Sequence, residues 1–153
     1  MMQLTIQNKK GFTIVEMLIV IVVLGTIAAV ASSNWNKYTV NANLRSAARD
    51  VASDFFVTRE KAVSENANYR VTFDVGANNY VITNLVTGVL QTKTPTSFGA
   101  DIVLQSVNFG GSVDFQTRGT VSNGNLVLRN SRGSTATITV NITGRTYVQF
   151  AML

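Results

Sequence analysis

The chain has 153 residues but no cysteine and no histidine, and its single proline is Pro95. Without cysteine no disulfide can form, and cysteine usage does not indicate the redox compartment. Zinc and most transition metals lose their usual ligands. Histidine-based acid–base or triad catalysis is also excluded. No other catalytic grouping is recognisable, so we expect neither enzymatic activity nor a metal site or a cofactor.

Charged residues are also scarce, at 14% of the chain, and a long apolar run near the N-terminus is almost free of them. The run extends from Phe12 to Ala31, and Glu16 is its single charge. As a helix rising ~1.5 Å per residue it would match a bilayer's hydrocarbon core of ~30 Å. The pattern therefore predicts a membrane-spanning helix over residues 12–33. Two lysines precede it and favour a cytoplasmic start.

Glu16 is unusual in such a segment, because a charge at the helix centre costs roughly 2.5–3.5 kcal/mol on insertion scales. Cleavage between Gly11 and Phe12 would create an α-amino group at Phe12. That amine could neutralise Glu16 of a neighbouring subunit. It would reach Glu16 of its own chain less easily, since a helix start directs it away from a side chain one turn on. The alternative is a polar residue that snorkels from a helix end.

The segment Lys9–Leu18, Lys-Lys-Gly-Phe-Thr-Ile-Val-Glu-Met-Leu, resembles the prepilin signal of type IV pilins and type II secretion pseudopilins. The resemblance implies that residues 1–11 are a leader, which a prepilin peptidase removes after Gly11. It also implies that Phe12 is N-methylated and that Glu16 serves subunit recruitment and register. The implied partners are other pilin or pseudopilin subunits and an inner-membrane assembly platform.

Beyond the apolar run, residues 34–68 are predicted to form an amphipathic helix that ends between Ser64 and Asn68. Its other face carries charges with weak local pairing and is expected to be solvated. The apolar positions follow one another at spacings of three and four, which places them on one face. These positions are Leu44, Ala48, Val51, Phe55, Thr58 and Ala62.

From Tyr69 the hydrophobic period changes to two, and residues 69–153 are predicted to form a β-rich domain. We expect antiparallel strands with one buried face. Asn123-Gly124 is a strong hairpin signal, and residues 91–100 are expected to be irregular. The predicted class is α+β: a long N-terminal helix, membrane-spanning in its first half, packed on an antiparallel β-sheet as in pilins.

Residues 107–148 resemble the minor-pilin branch called FimT/GspH. Some DNA-uptake members of that branch end in Gly-Arg-x-Arg, but here Tyr147 occupies the fourth position, so that motif is incomplete. The resemblance is carried by Phe109 and Phe115 before Arg118-Gly119, a Leu-Val-Leu strand, and an Ile-Thr-Val strand that ends in Gly144-Arg145.

The resemblance implies a minor pilin or pseudopilin that is assembled into, or primes, a type IV pilus or a type II secretion pseudopilus. The protein would sit in the bacterial inner membrane with a periplasmic domain and then enter the filament. Type IV pilus, type II secretion and competence systems stay open, as does a tip or shaft position.

Two alternatives also remain. In one, a minor pilin binds DNA through four arginines, with contacts that weaken in salt; otherwise these are scattered solvated side chains. In the other, cleavage after Ala31 releases a freely secreted periplasmic domain. The four arginines are Arg118, Arg129, Arg132 and Arg145.

Overall fold

The computed structural model describes the backbone of residues 11–153, and their side chains except those of residues 30–34, 89 and 90. Apart from Gly11, the predicted leader lies outside the described residues. The chain divides into two units, residues 1–37 and 38–153, and each is considered by itself. One helix, α1 (Ile14–Ser64), contributes residues to both.

In the first unit, α1 exposes its apolar side chains. The large apolar residues from Phe12 to Ile27 are each between 49% and 83% exposed. Apolar surface of this extent marks a contact with another protein or with lipid. Among the described residues, no helix combines the length and the hydropathy needed to cross a bilayer. The spanning segment at residues 12–33 therefore stays a prediction.

In the second unit, the predicted apolar stripe of α1 is buried along its whole length, from Leu44 to Ala62. The helix ends at Ser64, within the predicted range. Asn66 follows with a left-handed φ of 48°. The Ala67 N–H donates to the Ala62 carbonyl at 3.2 Å, and the Asn66 N–H donates to the Val63 carbonyl at 3.4 Å. This is a Schellman ending, which satisfies carbonyl groups that the helix leaves open.

The remaining chain forms two four-stranded antiparallel sheets, which confirms the predicted α+β class. Sheet A has the order β3-β2-β1-β5, and sheet B has the order β4-β6-β7-β8. A short 3₁₀ helix, Pro95–Phe98, precedes β4. The strands are β1 (Tyr69–Asp74), β2 (Asn79–Asn84), β3 (Gly88–Lys93), β4 (Val103–Val107), β5 (Ser112–Phe115), β6 (Gly124–Arg129), β7 (Thr135–Val140) and β8 (Thr146–Ala151).

Phe55 of α1 lies in the aromatic part of the core. Its ring centroid lies 6.1 Å from that of Phe73 on β1, 5.8 Å from that of Phe115 on β5 and 6.4 Å from that of Phe109. The inward residues of β6 and β7 belong to the same buried cluster. Helix and both sheets therefore share one core, which is why the helix stripe is apolar at every position except Thr58.

The hairpin predicted at Asn123-Gly124 is wrong. β5 belongs to sheet A and β6 belongs to sheet B, so this pair lies in a connection between sheets. Gly124 also lacks the positive φ that a type I′ turn requires. A Cβ at Gly124 would overlap the Phe109 ring and the Asn108 carbonyl. The glycine is thus explained by close packing rather than by a turn.

The solvated face predicted for α1 is wrong where β3 approaches it. Lys93 Nζ lies 2.7 Å from Asp54 Oδ1 and 3.5 Å from Asp50 Oδ2. The buried Tyr80 hydroxyl donates to Asp54 Oδ2 at 2.6 Å. Burial, and then the hydrogen bond to Asp54, raise the pKa of Tyr80. Pairing considered within the helix alone could not reveal a lysine supplied by a distant strand.

Candidate functional site

The N-terminal residues of α1 form a reciprocal capping box. Thr13 precedes the first helical residue, and its Oγ1 accepts the Glu16 N–H at 3.2 Å. In return, Glu16 Oε2 accepts the Thr13 N–H at 3.2 Å. A Thr-x-x-Glu box of this kind satisfies two of the four free N–H groups at a helix start. The sequence carries this signal at Thr13, but the prediction for Glu16 did not use it.

This geometry leaves part of the Glu16 carboxylate available. Oε2 faces Thr13, whereas Oε1 makes no hydrogen bond within the described residues. The negative charge also lies at the positive end of the helix dipole, which is favourable for it. One oxygen thus caps the helix, and the other can accept a hydrogen bond from an amine of another chain.

The predicted processing residues are accessible in the described chain. Phe12 is 79% exposed, and no atom lies within 4 Å of a Cβ built on Gly11. Both residues precede α1, which begins at Ile14. The bond between Gly11 and Phe12 therefore lies outside the helix and is exposed.

The four arginines suggested for nucleic acid are not brought into one patch. Arg129 and Arg132 lie at the end of β6 and β7 that carries the turn 130–134. Arg145 lies at the other end, beyond the six residues of β7, or about 20 Å at ~3.3 Å per residue. Arg118 precedes Gly119, whose carbonyl packs against Gly144, so it is close to Arg145 in the fold.

Arg145 instead meets two arginines of α1 that the sequence analysis did not single out. It lines a groove of about 890 Å³ together with Arg49 and Arg59. The exposed rings of Phe56 and Tyr147 line the same groove, and none of its lining residues is acidic. These helix arginines lie far from Arg145 in sequence, and no local pattern links them. Only the packing of α1 beside β8 brings the positive charges together.

Arg59 is fixed in the wall of this groove. Its Nε donates to the Gly119 carbonyl at 2.9 Å, and one of its Nη atoms lies 3.3 Å from Glu60. Gly144 has a φ of 77°, and a Cβ there would overlap the Arg59 side chain. Arg49 and Arg145, by contrast, have no ion pair among the described residues. These two are the cations available to a ligand.

Comparison with known protein families gives two matches. The prokaryotic N-terminal methylation motif matches residues 6–32. Type II transport protein GspH matches residues 47–144, which is more than half of the chain. None of the curated proteins matches the sequence.

The solved structures that share the fold include a minor pseudopilin and a minor pilin. The minor pseudopilin EpsH from the type 2 secretion system of Vibrio cholerae aligns with a TM-score of 0.59 at 12% identity, over 70% of this chain and 96% of EpsH. The type IV minor pilin FimU of Pseudomonas aeruginosa aligns with a TM-score of 0.57 at 16% identity, over 73% of this chain and 92% of FimU. At these identities the likeness concerns the fold.

Proposed function

Since the chain belongs to the type II transport protein GspH family and is a minor pilin-type subunit, we propose that it is anchored in the bacterial inner membrane and assembles into, or primes, a filament. In this proposal its role is structural and not enzymatic, which the family match supports. A type IV pilus and a type II secretion pseudopilus are both consistent with this proposal.

Processing comes first in the proposed function. A prepilin peptidase removes residues 1–11, Phe12 is N-methylated, and residues 12–33 hold the subunit in the membrane with its second unit in the periplasm. The match to the methylation motif and the exposed bond after Gly11 support this step. An inner-membrane platform then transfers the subunit into the filament.

The assembly contact is a charge pair between the Phe12 amine of one subunit and Glu16 of another. The observation that carries it is the Glu16 carboxylate, which uses Oε2 to cap its own helix and keeps Oε1 without a hydrogen bond to any residue from 11 to 153. An isolated carboxylate in lipid is costly, and pairing with a cation offsets that cost. The charge thereby favours a neighbouring subunit whose Phe12 amine lies level with Glu16 along the filament axis.

The experiment separates charge from capping in the full-length protein. Glu16→Gln keeps an acceptor for the Thr13 N–H but removes the charge, whereas Glu16→Ala removes both. Thr13→Ala weakens the cap, by about 1 kcal/mol, and keeps the charge. We measure subunit incorporation into sheared filaments, and we determine the N-terminus by mass spectrometry as the processing control. We expect both Glu16 variants to fail and Thr13→Ala to assemble. If Glu16→Gln assembles like the wild type, Glu16 serves only the helix cap.

The two alternatives remain predictions. The same mass spectrum distinguishes a freely secreted domain, since its first residue would be Ser32 rather than Phe12. DNA binding through all four predicted arginines is disfavoured by their distribution over two ends of sheet B.

A further inference from the structure

β8 is an edge strand without the usual protection. Natural edge strands avoid adding another chain by being short, bulged, charged or proline-containing. β8 has six residues, Thr-Tyr-Val-Gln-Phe-Ala, with neither charge nor proline. It pairs with β7 in regular register from Thr146 to Ala151. Its outer side is therefore an uncharged edge without a bulge, to which another strand could pair.

The other three edges each have such a protection. β3 carries Lys93, and its pairing with β2 shifts register at Ile82/Thr83. β4 shifts register against β6 between Leu104 and Ser106. β5 has only four residues. The contrast within one molecule makes the open edge at β8 a specific feature and not a general property of the fold.

The main-chain groups on that edge can be assigned. The Asn141 N–H donates to the Arg145 carbonyl, so this pair is of the hydrogen-bonded type. Because such pairs alternate along an antiparallel ladder, the amides and carbonyls of Thr146, Val148 and Phe150 point away from β7. None of them has a hydrogen-bond partner among the described residues. An added strand would find donors and acceptors at two-residue spacing.

The arginine groove borders this same edge. Thr146 and Tyr147 of β8 line one side of it, while Arg49 and Phe56 of α1 line the other. Side chains of a strand alternate between its two faces. An extended chain beside β8 would therefore direct into the groove the side chains that lie next to Thr146 and Tyr147. There Arg49 and Arg145 have no ion pair among the described residues.

We propose that β8 receives, as a fifth strand of sheet B, an extended acidic segment of another pilin-type subunit. The partner class rests on the proposed function. Main-chain pairing to the open edge supplies the binding energy, and carboxylates opposite Arg49 and Arg145 supply selectivity for the partner. The exposed rings of Phe56 and Tyr147 pack against the aliphatic parts of the segment's acidic side chains.

The test uses full-length protein in detergent micelles and a labelled synthetic peptide in which glutamate alternates with threonine. A matched peptide carries lysine in place of glutamate. Two further peptides are N-methylated at every second amide, one at the odd positions and the other at the even positions. Since alternate amides of a strand point to opposite sides, only one of these two peptides loses the N–H groups that would donate to β8. By fluorescence anisotropy we expect the glutamate peptide to bind, the lysine peptide to bind at least about tenfold more weakly, and one of the two methylated peptides to fail.

Variants locate the site. Arg145→Glu and Arg49→Glu are expected to weaken binding at least about tenfold, because they place a carboxylate against a carboxylate. Arg132→Glu is the matched control, since this exposed arginine lies at the opposite end of sheet B. Thr146→Pro removes an outward amide, whereas Thr146→Val keeps it. Proline is tolerated at the first residue of an edge strand, and thermal unfolding checks that both variants fold.

Several results would overturn the proposal. The glutamate and lysine peptides could bind equally, or both methylated peptides could bind. The protein could also form concentration-dependent dimers that Thr146→Pro abolishes, which would identify the occupant as a second copy of this chain. Salt-sensitive binding of an oligothymidine without peptide binding would assign the groove to nucleic acid. None of these results alters the outcome at Glu16, so the failure of one proposal is distinguishable from that of the other.

Discussion

Gly124 begins β6 with its backbone directly against the Phe109 ring and the Asn108 carbonyl. The Phe109 ring in turn stacks on Phe73 at 6.0 Å and meets Phe55 at 6.4 Å, so it is not free to move away. A methyl group at this position would therefore require both a ring and a peptide to shift. In a close-packed interior, even one added methyl group of this kind lowers the stability of the fold.

We predict that Gly124→Ala destabilises the protein by about 1–3 kcal/mol through overpacking. Gly76→Ala is the matched control, because its added Cβ would meet only Asp74 Oδ1 at the ordinary distance of 3.4 Å. That variant should be neutral or stabilised by about 0.4–1 kcal/mol through the unfolded chain. Urea unfolding of both proteins checks the difference. Equal midpoints would show that Phe109 can give way.

At the scale of elements, α1 and β3 are linked by one polar cluster made of Asp54, Lys93 and Tyr80. Burial opposes the charge on Lys93, but its hydrogen bond to Asp54 and the attraction of Asp54 and Asp50 outweigh this and raise its pKa. The pKa of Tyr80 is also raised, first by burial. Both groups thus hold their protons more strongly in the folded protein than in the unfolded chain.

Stability should therefore fall in alkaline solution. A group whose pKa is raised in the folded protein contributes fully to the free energy of unfolding below its pKa in the unfolded chain, which is about 10 for both groups. This contribution is lost as the pH rises from there through the pKa of the folded protein. We expect the melting temperature to begin to fall at about pH 10 and to go on falling as the pH rises further. Tyr80→Phe should flatten this drop, while Phe in place of the exposed Tyr147 should not. Parallel curves for wild type and Tyr80→Phe would contradict the assignment.

Elements with local signals could be predicted from the sequence. The stripe of α1, its end near Asn66 and the alternation of Tyr69 to Phe73 depend on neighbours within a few residues, and the structure confirms them. The same holds for the motif around Glu16, which the methylation-motif match supports. Its capping role also had a local signal, in Thr13.

Features that depend on distant pairing could not be predicted. The ion pair of Asp54 and Lys93 joins residues 39 apart in sequence, and the groove joins Arg49 to Arg145. Alternation shows that a strand has a buried face, but not which of two sheets it enters. For that reason Asn123-Gly124 gave a false hairpin signal.

On the scale of the whole molecule, the two units use apolar residues in opposite ways. The first unit exposes them from Phe12 to Ile27, so its free energy depends on what surrounds it. The second unit buries them between α1 and two sheets, with residues from both sheets in a single cluster. Filament assembly can therefore change the surroundings of the first unit without any loss of the second unit's own core.

A single shared core predicts that both sheets lose stability together. Phe55 is 1% exposed, whereas its neighbour Phe56 is 60% exposed, which makes the two residues a matched pair. Phe55→Ala should cost about 3–5 kcal/mol through lost burial and a cavity. Phe56→Ala should cost less than about 1 kcal/mol, as expected for a surface site.

Hydrogen exchange of the full-length protein in micelles tests this coupling. In Phe55→Ala we expect amide exchange to accelerate by the same factor in β1 of sheet A and in β7 of sheet B, because global unfolding exposes both. Acceleration in β1 alone would mean that sheet B remains folded when sheet A opens, although the Phe55 ring contacts lie on β1, β5 and Phe109. The second unit would then contain two cooperative parts, and the open edge at β8 would belong to a sheet that holds its shape on its own.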